Sequence, residues 1–211
     1  MTSAAAAQAA NGDLQLVQLN FVKGQAYYQK ALQLLPPSDK ENRGQYLNGL
    51  GNSFQEAGVR TKGTDIQKFL REAATAYRDA LTVYTKERFP QQWAMTQNNL
   101  GTVLGRQGTR TSGKAGIRLL AEAVTAHSEA LTVHTKNQFP QQWAKSQYEL
   151  GNVLRDQAIR TGGEAGKALI RQAIDAYELA LQVWTMDTLS GAWEATTFNR
   201  MIAKEALENM K

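Results

Sequence analysis

Residues 71–120 read REAATAYRDALTVYTKERFPQQWAMTQNNLGTVLGRQGTRTSGKAGIRLL. Residues 121–170 follow without a gap as AEAVTAHSEALTVHTKNQFPQQWAKSQYELGNVLRDQAIRTGGEAGKALI, and 28 of the 50 positions are identical. A fixed period of this length marks a solenoid or similar array, in which each unit buries its apolar face on its neighbours. The flanking sequence reads as diverged copies of the same unit. The expected division is a frayed tail at residues 1–12, then a single array over 13–211. Its units fall at about 21–70, 71–120, 121–170 and 171–211, the last closing on a capping helix.

The composition fits a helical array. Of the 211 residues only four are proline, 42% are hydrophobic, and cysteine is absent, which excludes disulfides and cysteine-based metal sites. No apolar run approaches a membrane span. The N-terminal MTSAAAAQAANG lacks the basic and leucine-rich regions of a signal peptide, so a cytoplasmic protein without a membrane partner is expected. The net charge of +5 permits an acidic partner, and no Lys- or Arg-rich run points to nucleic acid.

Helical periodicity is present throughout. Between Asp13 and Leu35 the apolar positions follow a helical spacing that Pro36-Pro37 ends. Ser38 and Glu41 have the spacing of a capping box, and Thr64 with Gln67 repeats it. Further helices are expected over about 65–86, 90–108, 114–136, 140–159, 164–185 and 190–210. Pro90 and Pro140 stand where a first turn has no partner for their missing N–H. Eight helices joined by short loops run antiparallel to their neighbours, giving an all-α solenoid of helical hairpins.

A pattern recurs inside the units: Leu50-Gly51…Tyr77…Ala80-Leu81, Leu100-Gly101…His127…Ala130-Leu131 and Leu150-Gly151…Tyr177…Ala180-Leu181. It resembles the tetratricopeptide repeat, which pairs a Leu-Gly helix with a helix of small and aromatic residues. The period of 50 exceeds that family's usual length of about 34 and resembles the long-unit variety of bacterial multidomain regulators. The resemblance implies a right-handed superhelix. The mid-helix glycines are expected where helix backbones come close, against Ala80, Ala130 and Ala180.

No catalytic set emerges, and neither an enzyme nor a cofactor is expected. His127 and His134 occupy the places of Tyr77 and Tyr84 one unit earlier, and lie about 10 Å apart along a helix, too far for one metal. They read as substituted core aromatics. Trp93, Trp143 and Trp193 recur once per unit, with Phe89, Phe139 and Leu189 four residues before them, and read as packing at a helix entry. TGGEAGK at 161–167 lacks the GxxxxGK[ST] spacing of a phosphate loop.

The tetratricopeptide resemblance implies a concave face lined by the first helix of each hairpin. The residues pointing there are Asn48, Asn52 and Gln55, then Asn98, Thr102 and Arg106, then Lys145, Tyr148, Asn152 and Arg155. Asparagine amides would hold a peptide main chain, while Arg106, Lys145 and Arg155 would meet acidic side chains. The function so implied is a scaffold that binds a peptide or helix of another protein. Two alternatives remain. One is a nucleic-acid-binding stripe built on Arg60-Thr61, Arg110-Thr111 and Arg160-Thr161, whose simpler role is capping helix ends. The other is a scaffold that stacks on itself as a homo-oligomer.

Overall fold

A computed structural model of the chain describes residues 2–60 and 65–210. Among the described residues there is no strand. The helices are α1 (Thr2–Val17), α2 (Phe21–Leu34), α3 (Lys40–Arg60), α4 (Asp65–Leu81) and α5 (Pro90–Arg110), followed by α6 (Gly113–Leu131), α7 (Pro140–Thr161), α8 (Gly163–Ala180) and α9 (Met186–Asn209). α1 packs on α2, α2 on α3 and α3 on α4, and likewise α6 on α7, α7 on α8 and α8 on α9, the consecutive pairing of an α-solenoid. The chain divides into two compact units, Met1–Val103 and Leu104–Lys211.

In the first unit α3 meets α4 and the turn after it in antiparallel register. A Cβ on Gly44 would strike the Tyr84 ring, one on Gly51 the Tyr77 ring, and one on Gly58 would crowd Phe69 and Leu70. In the second unit Gly151 of α7 lies against the Tyr177 ring of α8 in the same way, 2.7 Å from where its Cβ would stand. The close approach expected at the Leu-Gly positions is therefore present at Gly51 and Gly151, but its partner is a tyrosine ring. Ala80 and Ala180 are fully buried nearby without being what the glycines make room for.

The expected frayed tail is instead helical. Alanine forms helix readily, and its small side chain lets α1 approach α2 closely. Ala5 and Ala9 are buried in one cluster with Tyr28, Ala31, Leu35, Tyr46 and Leu50. The single helix expected from Asp13 to Leu35 breaks after Val17, so nine helices are described where eight are expected. At the break Asn20 N–H donates to Gln15 C=O at 2.8 Å and Leu19 N–H to Leu16 C=O at 3.0 Å. Those are the two bonds of a Schellman ending, and Leu19 takes the left-handed conformation (φ 61°) that glycine usually supplies. The sequence carries neither Gly nor Pro at the break, so the pattern reads straight through it.

Other boundaries shift for local reasons. Asp39, not Ser38, caps α3: its carboxylate accepts from Asn42 N–H at 3.3 Å and from Asn42 Nδ2 at 2.9 Å. The expected Thr64 box lies outside the described residues. α4 and α6 stop at Leu81 and Leu131, five residues early, where Thr82 and Thr132 turn their hydroxyls onto the Asp79 and Glu129 carbonyls at 2.7 and 2.6 Å. α9 opens on a Thr185–Thr188 capping box and is kinked at Leu189.

Candidate functional site

The first helices of the hairpins are α1, α3 and α5 in the first unit. α1 packs on α3. α3 is tied to α5 by Asn48 Nδ2, which donates to Thr96 Oγ1 at 2.8 Å. A first helix in such an array is covered on both flanks, by its own hairpin partner and by the first helices on either side. Polar residues facing a flank are then interior, and two of the expected peptide-binding asparagines are of this kind. Asn48 and Asn98 are each only 6% exposed. The Asn48 side chain is engaged with Thr96, and the main-chain carbonyl of Asn98 accepts from Thr102 Oγ1 at 3.1 Å.

Asn52 and Asn152 play a further structural part. Tyr77 donates its hydroxyl to Asn52 Oδ1 at 2.8 Å, and Asn99 Nδ2 reaches the same oxygen at 3.5 Å. In the second unit Tyr177 donates to Asn152 Oδ1 at 2.8 Å and Asn199 Nδ2 does so at 3.0 Å. Asn199 also donates to the Tyr148 hydroxyl at 3.0 Å. Tyr148 in turn sits between Tyr177 and Trp184, with ring centroids 6.1 and 5.7 Å away. Each triad thus binds the second helix of a hairpin and the next first helix to one amide oxygen. Asn99 and Asn199 escape the sequence reading, although all three members recur at a spacing of 100 residues.

The basic residues of the face lie in the second unit. Lys145 is exposed, while Arg106 and Arg155 are half-buried. Arg155 is paired with Asp156 at 3.1 Å. Burial pushes the Glu149 carboxyl above its ordinary range, against the opposing pull of Lys145, Asn152 and Arg106. His127, fully buried, is driven down to about 3 by burial and then by the Lys145 charge. His134 is buried too, with its ring 5.9 Å from that of Phe139. Both histidines therefore occupy interior aromatic positions. Two of the three entry tryptophans carry a cation: Lys86 Nζ stands 5.4 Å from the Trp93 ring and Lys136 Nζ 5.8 Å from that of Trp143.

The arginines of the ladder are engaged individually. Arg60 pairs with Glu56 and lies 4.6 Å over the Phe21 ring. Arg110 Nη1 donates to Arg106 C=O at 3.2 Å. Arg160 donates to the Thr109 and Thr111 carbonyls, at the C-terminal end of α5. Thr61 lies outside the described residues.

What the face does offer is a cavity of about 330 Å³ in the first unit. Ala9, Asp13 and Leu16 of α1 line one side, Gln92 and Met95 of α5 line the other, and Glu41, Gln45, Asn48 and Asn52 of α3 lie between them. Tyr28, Tyr46 and Tyr84 add three rings. Gln45 is exposed and Met95 is 49% exposed, so the cavity opens to solvent. The helical rows Glu41–Gln45–Asn48–Asn52 and Ala9–Asp13–Leu16 carry the missed residues at i, i+3 and i+4 spacing. Of the α1 row only Ala9 falls in the expected tail; Asp13 and Leu16 fall in the helix expected from Asp13. Among the described residues no three or more metal-ligating side chains cluster, and no helix is long and apolar enough to cross a membrane.

No protein-family model and no curated protein matches the chain. Among solved structures, the crystal structure of BtubC (BKLC) from P. vanneervenii is similar, with a TM-score of 0.51 at 16% identity, over 95% of this chain and 79% of that one. At that identity the likeness concerns the fold alone.

Proposed function

We propose that the chain is a non-catalytic, tetratricopeptide-like interaction module that holds a segment of a partner protein on the first-helix face. The observation that carries this reading is the cavity between α1, α3 and α5. It is open to solvent, of a size at the lower end of small-ligand sites, and lined by mixed apolar and polar side chains. A partner side chain entering it would anchor a segment laid across the helices. The seat differs from the one that Asn98 and Asn152 would provide: Asn98 is buried and the Asn152 amide oxygen is taken by Tyr177 and Asn199, while Gln45 and Met95 present accessible surface. In the second unit Lys145 of α7 is exposed.

Affinity capture with the intact chain and with Gln45→Arg and Met95→Arg tests it. Both positions are on the cavity rim and neither side chain is buried, so the variants keep the fold. A partner held by the parent chain and lost by both variants supports the reading. A partner held equally by all three overturns it.

A further inference from the structure

The cavity of the first unit has a chemistry of its own. Two carboxylates, Asp13 and Glu41, line it together with the rings of Tyr28, Tyr46 and Tyr84, and among the described residues no lysine or arginine does. The chain as a whole carries a net charge of +5, so this is a local inversion of sign. Asp13 accepts a hydrogen bond from the Tyr28 hydroxyl, which uses one of a carboxylate's roughly four acceptor directions. The phenols register the same field. Burial and then Asp39 and Asp13 raise the Tyr46 hydroxyl, and burial and then Glu41 raise that of Tyr84. Neutral aromatic rings beside carboxylates form a surface that attracts a cation through both ring quadrupole and formal charge. Ala9, Leu16 and Met95 add apolar wall.

We propose that this cavity binds an alkylammonium group, its charged head toward Asp13 and Glu41 and its methylene stem along the tyrosine rings. The proposal deepens the reading of the face as a binding surface and rests on it for one of two sources. The group is either a lysine side chain of the partner segment or a free aliphatic amine. A partner lysine reverses, for the first unit, the acidic partner that the basic residues of the second unit would favour.

Titration of the protein with n-pentylamine, 1-pentanol and pentanoate, followed by the ring resonances of Tyr28, Tyr46 and Tyr84, tests it. The amine is expected to shift all three rings, while the uncharged isostere and the anion leave them in place at equal concentration. Glu41→Gln and Asp13→Asn each weaken amine binding by about tenfold, and Gln45→Arg, which brings a cation to the rim, abolishes it. Glu41→Gln retains the fold because Glu41 is exposed and its backbone, not its carboxylate, accepts from Tyr84. Pentanol binding as well as pentylamine, or no amine shift at all, overturns the proposal. Nα-acetyl-lysine methylamide and 1,5-diaminopentane separate the sources: tighter binding of the former identifies a partner lysine, of the latter a free amine. If amines do not bind but Gln45→Arg still loses the partner, this inference falls while the binding face stands. If amines bind and no variant of the face changes partner capture, the reverse holds.

Discussion

The Tyr177 hydroxyl donates to Asn152 Oδ1 at 2.8 Å while the same ring covers Gly151, whose Cβ would stand 2.7 Å from it. Tyr77 repeats the arrangement on Gly51 and Asn52. In these two units one tyrosine therefore uses both the glycine, for room, and the asparagine next to it, as an acceptor. The middle unit replaces both polar members, with Thr102 and His127 where the others have Asn and Tyr.

Removing the hydroxyl and filling the glycine should have separable costs. Tyr177→Phe is expected to lower unfolding free energy by about 1 kcal/mol, the worth of a typical hydrogen bond. Gly151→Ala should cost about 1–3 kcal/mol, since the ring must leave its place. Chemical denaturation reads both. An alanine at 151 that costs nothing would show that the ring does not lie there.

His127 makes stability fall on acidification. Its pKa drops from 6.5 to about 3 on folding, because burial disfavours the imidazolium, with Lys145 adding to the effect. The unfolded chain then takes up the proton first, so the contribution is flat above about pH 6.5 and stability declines by about 1.4 kcal/mol per unit below it, down to about pH 3. His134 is shifted in the same direction, by burial. His127→Tyr, which restores the residue found at positions 77 and 177, should flatten the profile between pH 7 and 5 in denaturant titrations. An unchanged slope would place the pH dependence elsewhere.

Arg160 bonds the Thr109 and Thr111 carbonyls, and so closes the end of α5 from one hairpin further along. Arg160→Ala should cost about 1–3 kcal/mol. Arg160→Lys should restore only part of it, because a single ammonium lacks the fork that spans two acceptors. Faster amide exchange in the last turn of α5 would locate the loss.

Leu19 ends α1 in a left-handed conformation and is 60% exposed, so little packing holds it there. Leu19→Gly should raise the melting temperature by relieving about 1 kcal/mol of backbone strain. A fall would mean that the side chain anchors the turn.

Much of this architecture is legible in the sequence. The 50-residue repeat, the prolines at 90 and 140 and the Leu-Gly pairs state the helical hairpins directly, because each reports a local steric demand. α1 is not legible in this way: alanines carry little apolar signal, and the burial of Ala5 and Ala9 depends on residues of α2 and α3, among them Tyr28, Tyr46 and Leu50. The burial of two asparagines is hidden for a related reason. The hairpin pattern names the residues on each first helix that point away from its hairpin partner, but each first helix has neighbours on two flanks. Asn48 and Asn98 therefore turn inward, and the accessible positions are those one step around the helix, Gln45 and Met95.

The central claim is that the first-helix face is where a partner rests. It is tested most directly by placing a photo-activated benzoylphenylalanine at Met95, on the cavity rim, and separately at Glu72, on the exposed side of α4, and irradiating each in extract of the source cells. The account predicts a covalent adduct with a partner protein from position 95 and none from position 72. An adduct formed at 72 and absent at 95 would contradict it.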